Sequence, residues 1–487
     1  MSAAFVPPAR LVSRRAHMIP GQLHVTELFF EVPISYAAPT AGTLKLFARS
    51  VRKHVPSVAS MANQNLEEEH VDKPYLVYLE GGPGFGNPEP QEHALTRSML
   101  DRGYQMLLLD YRGTGYSTPV NARALGKLGG AQVQADYLKL FRADTIVRDL
   151  EAVRLCLTAN FPDERKKWSV FGQSFGGFVS LTYLSKFPNG LREVFMTGGL
   201  APIKRTPDEV YRALYRKVIA RNMAYYNKFP EDNENVKRIA RHICFEVPEG
   251  IQLPGGGKLT IGRLRGLGLA FGGHGGLDSV HAVILKMVTD LDQFGFLTRA
   301  TLMTFEQQVP FDSNPIYAIL HESIYCYRSG IASRWAAARV GAGFVEFCAR
   351  PGEFMDYMGE MKEMNKKLDA KLRNPDPLFF FGEMVRPSTV RDHPEVEEMD
   401  LVALILADYD KWDDLYDEEQ LRKNTVPVYA VSYIDDMYVD IGFARETASI
   451  VKGIKVHETN SLYHNAVRAR TDEVIGHLFR MRDDTID

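Results

Sequence analysis

The chain has 487 residues, more than one hydrophobic core usually organises, so we expect a core domain and a second unit. With 45% hydrophobic and 24% charged residues, the composition excludes a disordered or fibrous protein. The formal net charge is only −3, which gives no global field for nucleic acid or an anionic membrane, so we expect a small partner.

The first residues predict a flexible N-terminal arm over residues 1–18. This segment contains Arg10, Arg14 and Arg15 without an acidic residue, a pattern that is also typical of an organelle transit peptide. Its two prolines and short length favour the arm. The first twenty residues lack the apolar region of a secretory signal, and the chain contains no run of about 18 apolar residues that could span a membrane.

Short apolar segments then predict a sheet. Residues 27–32 and 44–49 alternate apolar and polar side chains, as a half-exposed antiparallel pair does. Residues 51–73 turn polar and predict a surface loop. Six later runs are apolar on both faces, which indicates parallel strands buried between helices: residues 75–79, 105–109, 168–171, 193–196, 426–431 and 454–457.

Helical periodicity separates several of these runs and is clearest over residues 141–157. Alternation of strands and helices predicts a doubly wound α/β fold with a mostly parallel central sheet flanked by helices. The alternation stops over residues 204–423, which are rich in Tyr, Met and Phe and carry helical patterning. We therefore predict a mainly helical cap over 204–423, inserted into a core made of residues 19–203 and 424–487.

The clearest motif is Gly-Gln-Ser-Phe-Gly at residues 172–176, which follows a predicted strand and precedes a helical run. In that context G-x-S-x-G forms a nucleophile elbow, a strand-to-helix turn so tight that it needs glycine two positions before and after the serine. The turn would expose Oγ of Ser174 above the sheet at a helix N-terminus. A serine in an ordinary strand–helix turn is the alternative interpretation. The context favours a nucleophile and the α/β-hydrolase fold.

A serine nucleophile needs donors for the oxyanion that develops on the attacked carbonyl, each worth roughly 3 kcal/mol of barrier. One donor is expected to be the backbone N–H of Phe175, the residue after the nucleophile. The second should come from the glycine-rich loop at residues 81–86, after the third predicted strand, and we choose Gly82. This loop lacks the G-K-[ST] and G-x-G-x-x-G patterns of phosphate-binding loops.

The catalytic base is expected to be a late histidine, because this fold orders its catalytic residues as serine, acid, histidine. Three histidines follow the predicted cap: His457, His464 and His477. His457 falls in a predicted strand and His477 in an amphipathic C-terminal helix. His464 lies in the loop after the last strand and is the predicted base.

The catalytic acid should follow the strand at residues 426–431, where its carboxylate would hold the imidazole in the correct tautomer. We prefer Asp436, with Asp435 and Asp440 as alternatives. The competing role for an aspartate in this position is that of a helix N-cap.

Several motifs together resemble the proline iminopeptidase (prolyl aminopeptidase) family of serine peptidases, and in particular its longer branch. The similarity spans roughly residues 28–467, and its motifs are GGPGFG at 81–86, DYRGTGYS at 110–117, FRADTIVRDLEAVR at 141–154, GQSFGG at 172–177, HESIY at 321–325, DDMYVD at 435–440, and His464. The sequence departs from the family at Glu80, where members usually have histidine. That histidine is not a member of the triad, so the departure bears on loop hydrogen bonding and substrate choice.

The resemblance implies an enzyme that releases N-terminal proline, or a similar residue, from small peptides with a free N-terminus. It implies a Ser–His–Asp acyl-enzyme mechanism that requires no metal and no organic cofactor. Members of the family bind the charged amine with acids from the cap, and Glu322 is our candidate here, with a surface glutamate or a helix salt bridge as the alternative. The aromatic residues of the cap suit a pocket for a pyrrolidine ring.

Two other functions stay open at this point. The first is an esterase or amidase that uses the same triad on a small-molecule substrate, because a fold and a triad do not fix the substrate. The second is a non-catalytic binding protein that kept the fold.

The cysteines indicate the redox state of the cellular compartment in which the protein is expected. Four of them lie far apart without a C-x-x-C pair or zinc-site spacing, so we expect buried thiols in a reducing, cytoplasmic environment: Cys156, Cys244, Cys326 and Cys348.

Overall fold

The computed structural model describes residues 5–54, 73–247, 250–347, 372 and 375–484. A nine-stranded sheet with the order β1-β2-β3-β5-β4-β6-β7-β10-β11 lies at its centre. Its strands are β1 Arg10–Ile19, β2 Leu23–Pro33, β3 Thr43–Lys53, β4 Tyr75–Leu79, β5 Gln105–Leu109, β6 Trp168–Gln173, β7 Leu191–Thr197, β10 Val428–Tyr433 and β11 Ile454–Thr459. A separate two-stranded hairpin pairs β8 Ile251–Gln252 with β9 Lys258–Leu259.

The strand directions follow the hydrophobic patterns of the sequence. Strands β1, β2, β3 and β5 pair antiparallel to their neighbours in that order. The predicted antiparallel pair at residues 27–32 and 44–49 lies in β2 and β3, but it is not half exposed, because Lys45 is the only exposed residue of these two segments. From β5 through β4, β6, β7 and β10 to β11 every pairing is parallel. Strands β5, β6 and β10 are buried along their whole length, as expected for parallel strands covered by helices. The predicted mostly parallel α/β sheet is confirmed.

The first strand corrects the prediction of a flexible arm over residues 1–18. Residues Arg10–Ile19 pair with β2 at the edge of the sheet, from Arg10 opposite Glu31 to Ile19 opposite Leu23. Most of this strand is exposed, so its sequence does not need the apolar alternation by which half-buried strands are recognised. The loop predicted over residues 51–73 also begins later, because β3 continues to Lys53, and residues 55–72 lie outside the described residues.

Helices cover both faces of the sheet. In the first part of the chain they are α1 Thr96–Asp101, α2 Ala122–Gly126, α3 Ala131–Leu138, α4 Ala143–Leu157 and α5 Phe175–Lys186, with 3-10 turns at Lys139–Phe141, Asp163–Arg165 and Pro188–Gly190. After the last sheet strands they are α17 Ile441–Ile450, α18 Ala466–Ala469 and α19 Thr471–Asp483. Alternate residues of β4 contact different layers: Val77 and Leu79 pack in the core shared with α4 and α5, whereas Leu76 and Tyr78 pack with α1 and α19.

Between β7 and β10 the described residues are mainly helical, as predicted for a cap. The helices are α6 Pro207–Lys228, α7 Asp232–Arg241, α8 Ile261–Arg265, α9 Gly276–Phe294, α10 Arg299–Glu306, α11 Pro315–Ile319, α12 Ala336–Gly341, α13 Pro387–Asp392, α14 Pro394–Glu397, α15 Asp400–Asp408 and α16 Glu418–Arg422. A π-helical turn lies at His242–Glu246, and 3-10 turns lie at Gly266–Gly272 and Glu322–Tyr325. The boundaries that we place at residues 204 and 423 stay predictions.

Two further features bear on where the protein is located in the cell: its helices and its cysteines. Within the described ranges, no helix has both the length and the apolar character needed to cross a membrane. Cys156, Cys244 and Cys326 are free thiols, while Cys348 lies outside the described residues. The cytoplasmic location stays a prediction.

A buried ion pair ties two of the sequence motifs together. Arg112 of DYRGTGYS donates from Nε and Nη2 to the two carboxylate oxygens of Asp149 on α4, each at 2.7 Å. The remaining donors of Arg112 bind the carbonyl oxygens of Pro33, Ile34 and Leu140. Both charged side chains are almost fully buried, at 0% and 3% exposure. The pair therefore fixes the loop after β5 against α4 and the end of β2.

We expect Asp149→Asn to lower the free energy of unfolding by roughly 3–5 kcal/mol, because it leaves a buried guanidinium without its counter-charge. Asp163→Asn is the matched control, since the Asp163 side chain is 92% exposed in its ion pair with Lys166. It should change the free energy by less than about 0.5 kcal/mol. Urea denaturation measures both, and equal losses would contradict this role for the buried pair.

Candidate active site

Ser174 occupies the turn between β6 and α5. Its backbone has φ 55° and ψ −121°, a region that residues with a side chain rarely adopt. The flanking glycines are required by packing, because a Cβ atom at Gly176 would lie 1.9 Å from the carbonyl oxygen of Leu79. A Cβ at Gly172 would lie 2.4 Å from the carbonyl oxygen of Gly176. The pentapeptide thus forms the predicted tight elbow, with Ser174 at its apex.

His464 and Asp436 complete a chain of hydrogen bonds that starts at Ser174. Nε2 of His464 lies 2.8 Å from Oγ of Ser174, and Nδ1 of His464 lies 2.7 Å from Oδ2 of Asp436. The other carboxylate oxygen of Asp436 accepts the backbone N–H groups of Tyr438 and Val439 at 2.8 and 3.1 Å. Asp436 is buried and held from both sides, so it fixes the orientation of the imidazole.

The two alternative aspartates have other surroundings. Asp440 accepts the N–H groups of Gly442 and Phe443 and forms the N-cap of α17, which is the competing role expected for one member of this cluster. Asp435 is exposed. The structure therefore brings Asp436, the preferred candidate, to His464.

The electrostatic environment favours the charged imidazole. Burial of His464 opposes its protonation, but the negative charge and hydrogen bond of Asp436 outweigh this effect and raise the pKa of His464 above its usual value. The buried carboxylate of Glu383 acts in the same direction. This environment stabilises the imidazolium that forms when histidine removes a proton from serine.

The glycine-rich loop after β4 passes directly beside the nucleophile. A Cβ atom at Gly81 would lie 3.2 Å from Cβ of Ser174, so the backbone can approach this closely only because the loop lacks side chains there. Gly82, with φ 116°, lines the same cavity as Ser174. Phe175 is the first residue of α5, where a backbone N–H has no partner inside the helix. The loop follows the fourth strand rather than the third, because the N-terminal edge strand was not predicted.

A cavity of about 860 Å³ opens above these groups. Ser174 and His464 line it from the core, and Glu383 and a set of aromatic side chains line it as well: Phe85, Tyr317 and Tyr438. The ring of Tyr438 lies 4.5 Å from the ring of His464, and the ring of Phe85 lies 4.9 Å from that of Tyr317. The cavity therefore offers an apolar aromatic wall next to the nucleophile.

Glu322, the predicted amine-binding acid, is not among the residues that line this cavity. Its two carboxylate oxygens accept the backbone N–H groups of Ala336 and Ala337 at 3.1 and 2.8 Å, at the start of α12. Burial raises the pKa of Glu322 to about 7, against the opposing effect of these bonds. The Glu322 carboxylate therefore holds a helix terminus within the cap, and its assignment to the substrate amine stays a prediction.

Glu383 is the cavity acid that sequence reasoning missed. One carboxylate oxygen accepts the hydroxyl of Tyr317 at 2.6 Å, and Nε2 of His321 lies 3.7 Å from the other. Burial raises the pKa of Glu383 to about 7, although the Tyr317 hydrogen bond and His464 work in the opposite direction. A signal was present in the sequence: Glu383 is the single charged residue in the apolar run LFFFGEMV at 378–385, and an acid among such neighbours is a candidate for a buried carboxylate.

Comparisons with known proteins agree with this architecture. Residues 74–246 match the family model of the alpha/beta hydrolase fold. The chain is 38% identical over 482 residues, 99% of both chains, to "Proline iminopeptidase aneH" of Aspergillus aculeatus. It is 36% identical over 474 residues to the proline iminopeptidase of Aeromonas sobria, covering 97% of this chain and all of that one.

Among solved structures, a proline iminopeptidase of Mycobacterium smegmatis is similar over 93% of this chain and 99% of its own, with a TM-score of 0.39 and 12% identity. The similarity to the two proline iminopeptidases of Aspergillus aculeatus and Aeromonas sobria, which extends over the full length of the chains, shows the family. This chain belongs to the proline iminopeptidase family of the α/β-hydrolase fold.

Proposed function

We propose that the protein is a serine aminopeptidase that releases N-terminal proline from peptides. The observation that carries this proposal is the hydrogen-bonded series Ser174–His464–Asp436 at a cavity that Glu383 and an aromatic wall also line. The two relatives that match over their full length are both named as proline iminopeptidases. Peptides with a free N-terminus are therefore the proposed substrates.

In the first half of the proposed reaction, Oγ of Ser174 attacks the carbonyl carbon of the N-terminal residue while Nε2 of His464 takes the serine proton. Asp436 keeps the proton on Nδ1 and stabilises the imidazolium. The N–H groups of Phe175 and Gly82 stabilise the negative charge that develops on the carbonyl oxygen. The imidazolium then protonates the leaving amine, and the bond to the rest of the peptide breaks.

In the second half, a water molecule takes the place of the leaving peptide. His464 removes a proton from that water, and the resulting hydroxide attacks the carbonyl carbon of the acyl-enzyme. The bond to Oγ of Ser174 then breaks, His464 returns the proton to that oxygen, and the free amino acid is released. Every proton transfer in this scheme uses His464, and the chemistry requires no group beyond the side chains and backbone already described.

Glu383 is the proposed site for the charged amine of the substrate. An ammonium group loses its hydration when it enters a closed cavity, so it needs a buried anion in compensation. Glu383 is such an acid, and it lines the cavity together with Ser174. Tyr317 and Tyr438 beside it supply apolar surface for a pyrrolidine ring. With the amine held at Glu383, the carbonyl group that Ser174 attacks would be that of the N-terminal residue, so the enzyme would release one residue at a time.

The substrate class is tested with three compounds. Proline β-naphthylamide should be hydrolysed, and N-acetylproline β-naphthylamide should react at least about 100-fold more slowly in kcat/KM, because it leaves the buried acid without its partner. A short acyl ester without an amine serves as the comparison. Rapid ester turnover with no hydrolysis of the prolyl amide would favour the esterase alternative and contradict the proposal.

The role of Asp436 is tested with its neighbour as a control. Asp436→Asn should lower kcat by about 10⁴-fold, because the amide favours the wrong imidazole tautomer. Asp435→Asn makes the same chemical change one residue away on an exposed side chain and should leave kcat nearly unchanged. If both variants lost activity equally, Asp436 could not be the residue that orients His464.

The role of Glu383 is tested through pH. Only an ionised carboxylate attracts an ammonium group, so kcat/KM for proline β-naphthylamide should rise as the pH passes about 7, the pKa of Glu383. His464 must also lose its proton before it can act as a base, and its pKa is raised above its usual value. Below both pKa values the logarithmic slope should therefore approach about two in the wild type and about one in Glu383→Gln. The variant should also raise KM for the amide more than for the neutral ester.

Glu322→Gln is the matched control for this experiment, because Glu322 is also a buried acid with a pKa raised to about 7 but does not line the cavity. It should keep the wild-type slope. A one-group slope in the wild type, or the same slope change in both variants, would remove Glu383 from the amine site.

A further inference from the structure

The catalytic cavity has a closed side and an open side. The side chain of Glu383 is 13% exposed, whereas that of Arg468, which lines the same cavity, is 55% exposed. If the proposed function holds and Glu383 binds the N-terminal amine, the rest of the peptide must leave the cavity on its exposed side. Arg468 is then placed to meet the part of the substrate that follows the scissile bond.

Arg468 is held at this position by buried groups. Nη2 of Arg468 donates to Oε1 of Glu80 at 2.6 Å, and the hydroxyl of Tyr78 also accepts a hydrogen bond from Arg468. The Glu80 side chain is only 4% exposed, and its carboxylate also accepts the N–H of Gly81 at 2.8 Å. The residue that departs from the family pattern therefore anchors a guanidinium at the mouth of the cavity and connects it to the glycine-rich loop.

The position of Arg468 in the sequence brings its guanidinium close to His464, the residue that protonates the leaving group. Arg468 follows His464 by four residues on the short helix α18, and its positive charge is close enough to oppose the protonation of His464, although the pKa of His464 stays above its usual value. His464 is the group that protonates the departing amine in the proposed reaction, so the departing peptide must lie next to it. A guanidinium has five N–H donors in one plane, and Glu80 and Tyr78 engage only part of them.

We propose that Arg468 binds the C-terminal carboxylate of a short leaving group, so that the enzyme favours prolyl dipeptides over substrates in which that carboxylate is absent. In a dipeptide the free carboxylate belongs to the residue directly after the scissile bond. A planar carboxylate matches the remaining donors of a fixed guanidinium and can pair with it through charge-assisted hydrogen bonds. Glu383 and Arg468 then bind the two opposite charges of one zwitterionic substrate.

The test compares Pro-Ala with Pro-Ala-amide, which differ only in the terminal charge. In the wild type, kcat/KM for Pro-Ala should exceed that for the amide by about tenfold, the value of a charge-assisted hydrogen bond. In Arg468→Met the ratio should fall to about one, and in Arg468→Lys, which keeps the charge without the planar fork, it should lie between these values. Arg470→Met removes a charge from a nearby exposed arginine that does not line the cavity, and it should keep the wild-type ratio.

Loss of Arg468 leaves the buried Glu80 carboxylate without its partner, and this could distort the glycine-rich loop. The double variant Glu80→Gln/Arg468→Met removes both charges, and its ratio should also be about one. A ratio of about one in the wild type, with proline β-naphthylamide still hydrolysed, would overturn this proposal alone. A tenfold ratio that survives in Arg468→Met and in the double variant would assign the preference to another group. Absence of all prolyl hydrolysis would overturn the proposed function as well.

Discussion

The proposed chemistry depends on the hydrogen bond between Oγ of Ser174 and Nε2 of His464, which joins residues 290 positions apart at 2.8 Å. The parallel sheet makes this contact possible. Strands β6, β10 and β11 run in one direction, so the turn after β6 and the loops after β10 and β11 all emerge at the same edge. Serine, acid and histidine come from these three places. The contact is therefore a consequence of sheet topology and of a turn that only glycine-flanked residues can make.

Buried carboxylates give the cavity its chemistry, and their different partners give them different roles. Asp436 accepts hydrogen bonds from two backbone N–H groups and from the imidazole of His464. These donors stabilise the ionised carboxylate beside the base. Glu383 accepts a hydrogen bond from one neutral hydroxyl, and burial raises its pKa to about 7, so a nearby cation would favour its ionised form. Glu80 already has a cation in Arg468. Removing a carboxylate from water costs several kcal/mol, and these partners offset that cost to different extents.

The sequence was informative where function is local. The elbow around Ser174 could be predicted because its five residues, the strand before it and the helix after it are contiguous, and His464 because it follows the last strand. Glu322 and Glu383 could not be ranked in this way, since which acid of the cap faces the cavity depends on how loops and short helices pack. The edge strand Arg10–Ile19 was missed because an exposed strand carries little hydrophobic pattern.

Activation of Ser174 by His464 is tested most directly by covalent labelling with a fluorophosphonate. Intact mass and peptide mapping should show one adduct per folded chain, located on Ser174. The rate of labelling should fall by orders of magnitude when His464 is replaced by alanine. A folded protein that remains unlabelled at Ser174, or that labels equally fast without His464, would contradict the activation of Ser174 by His464.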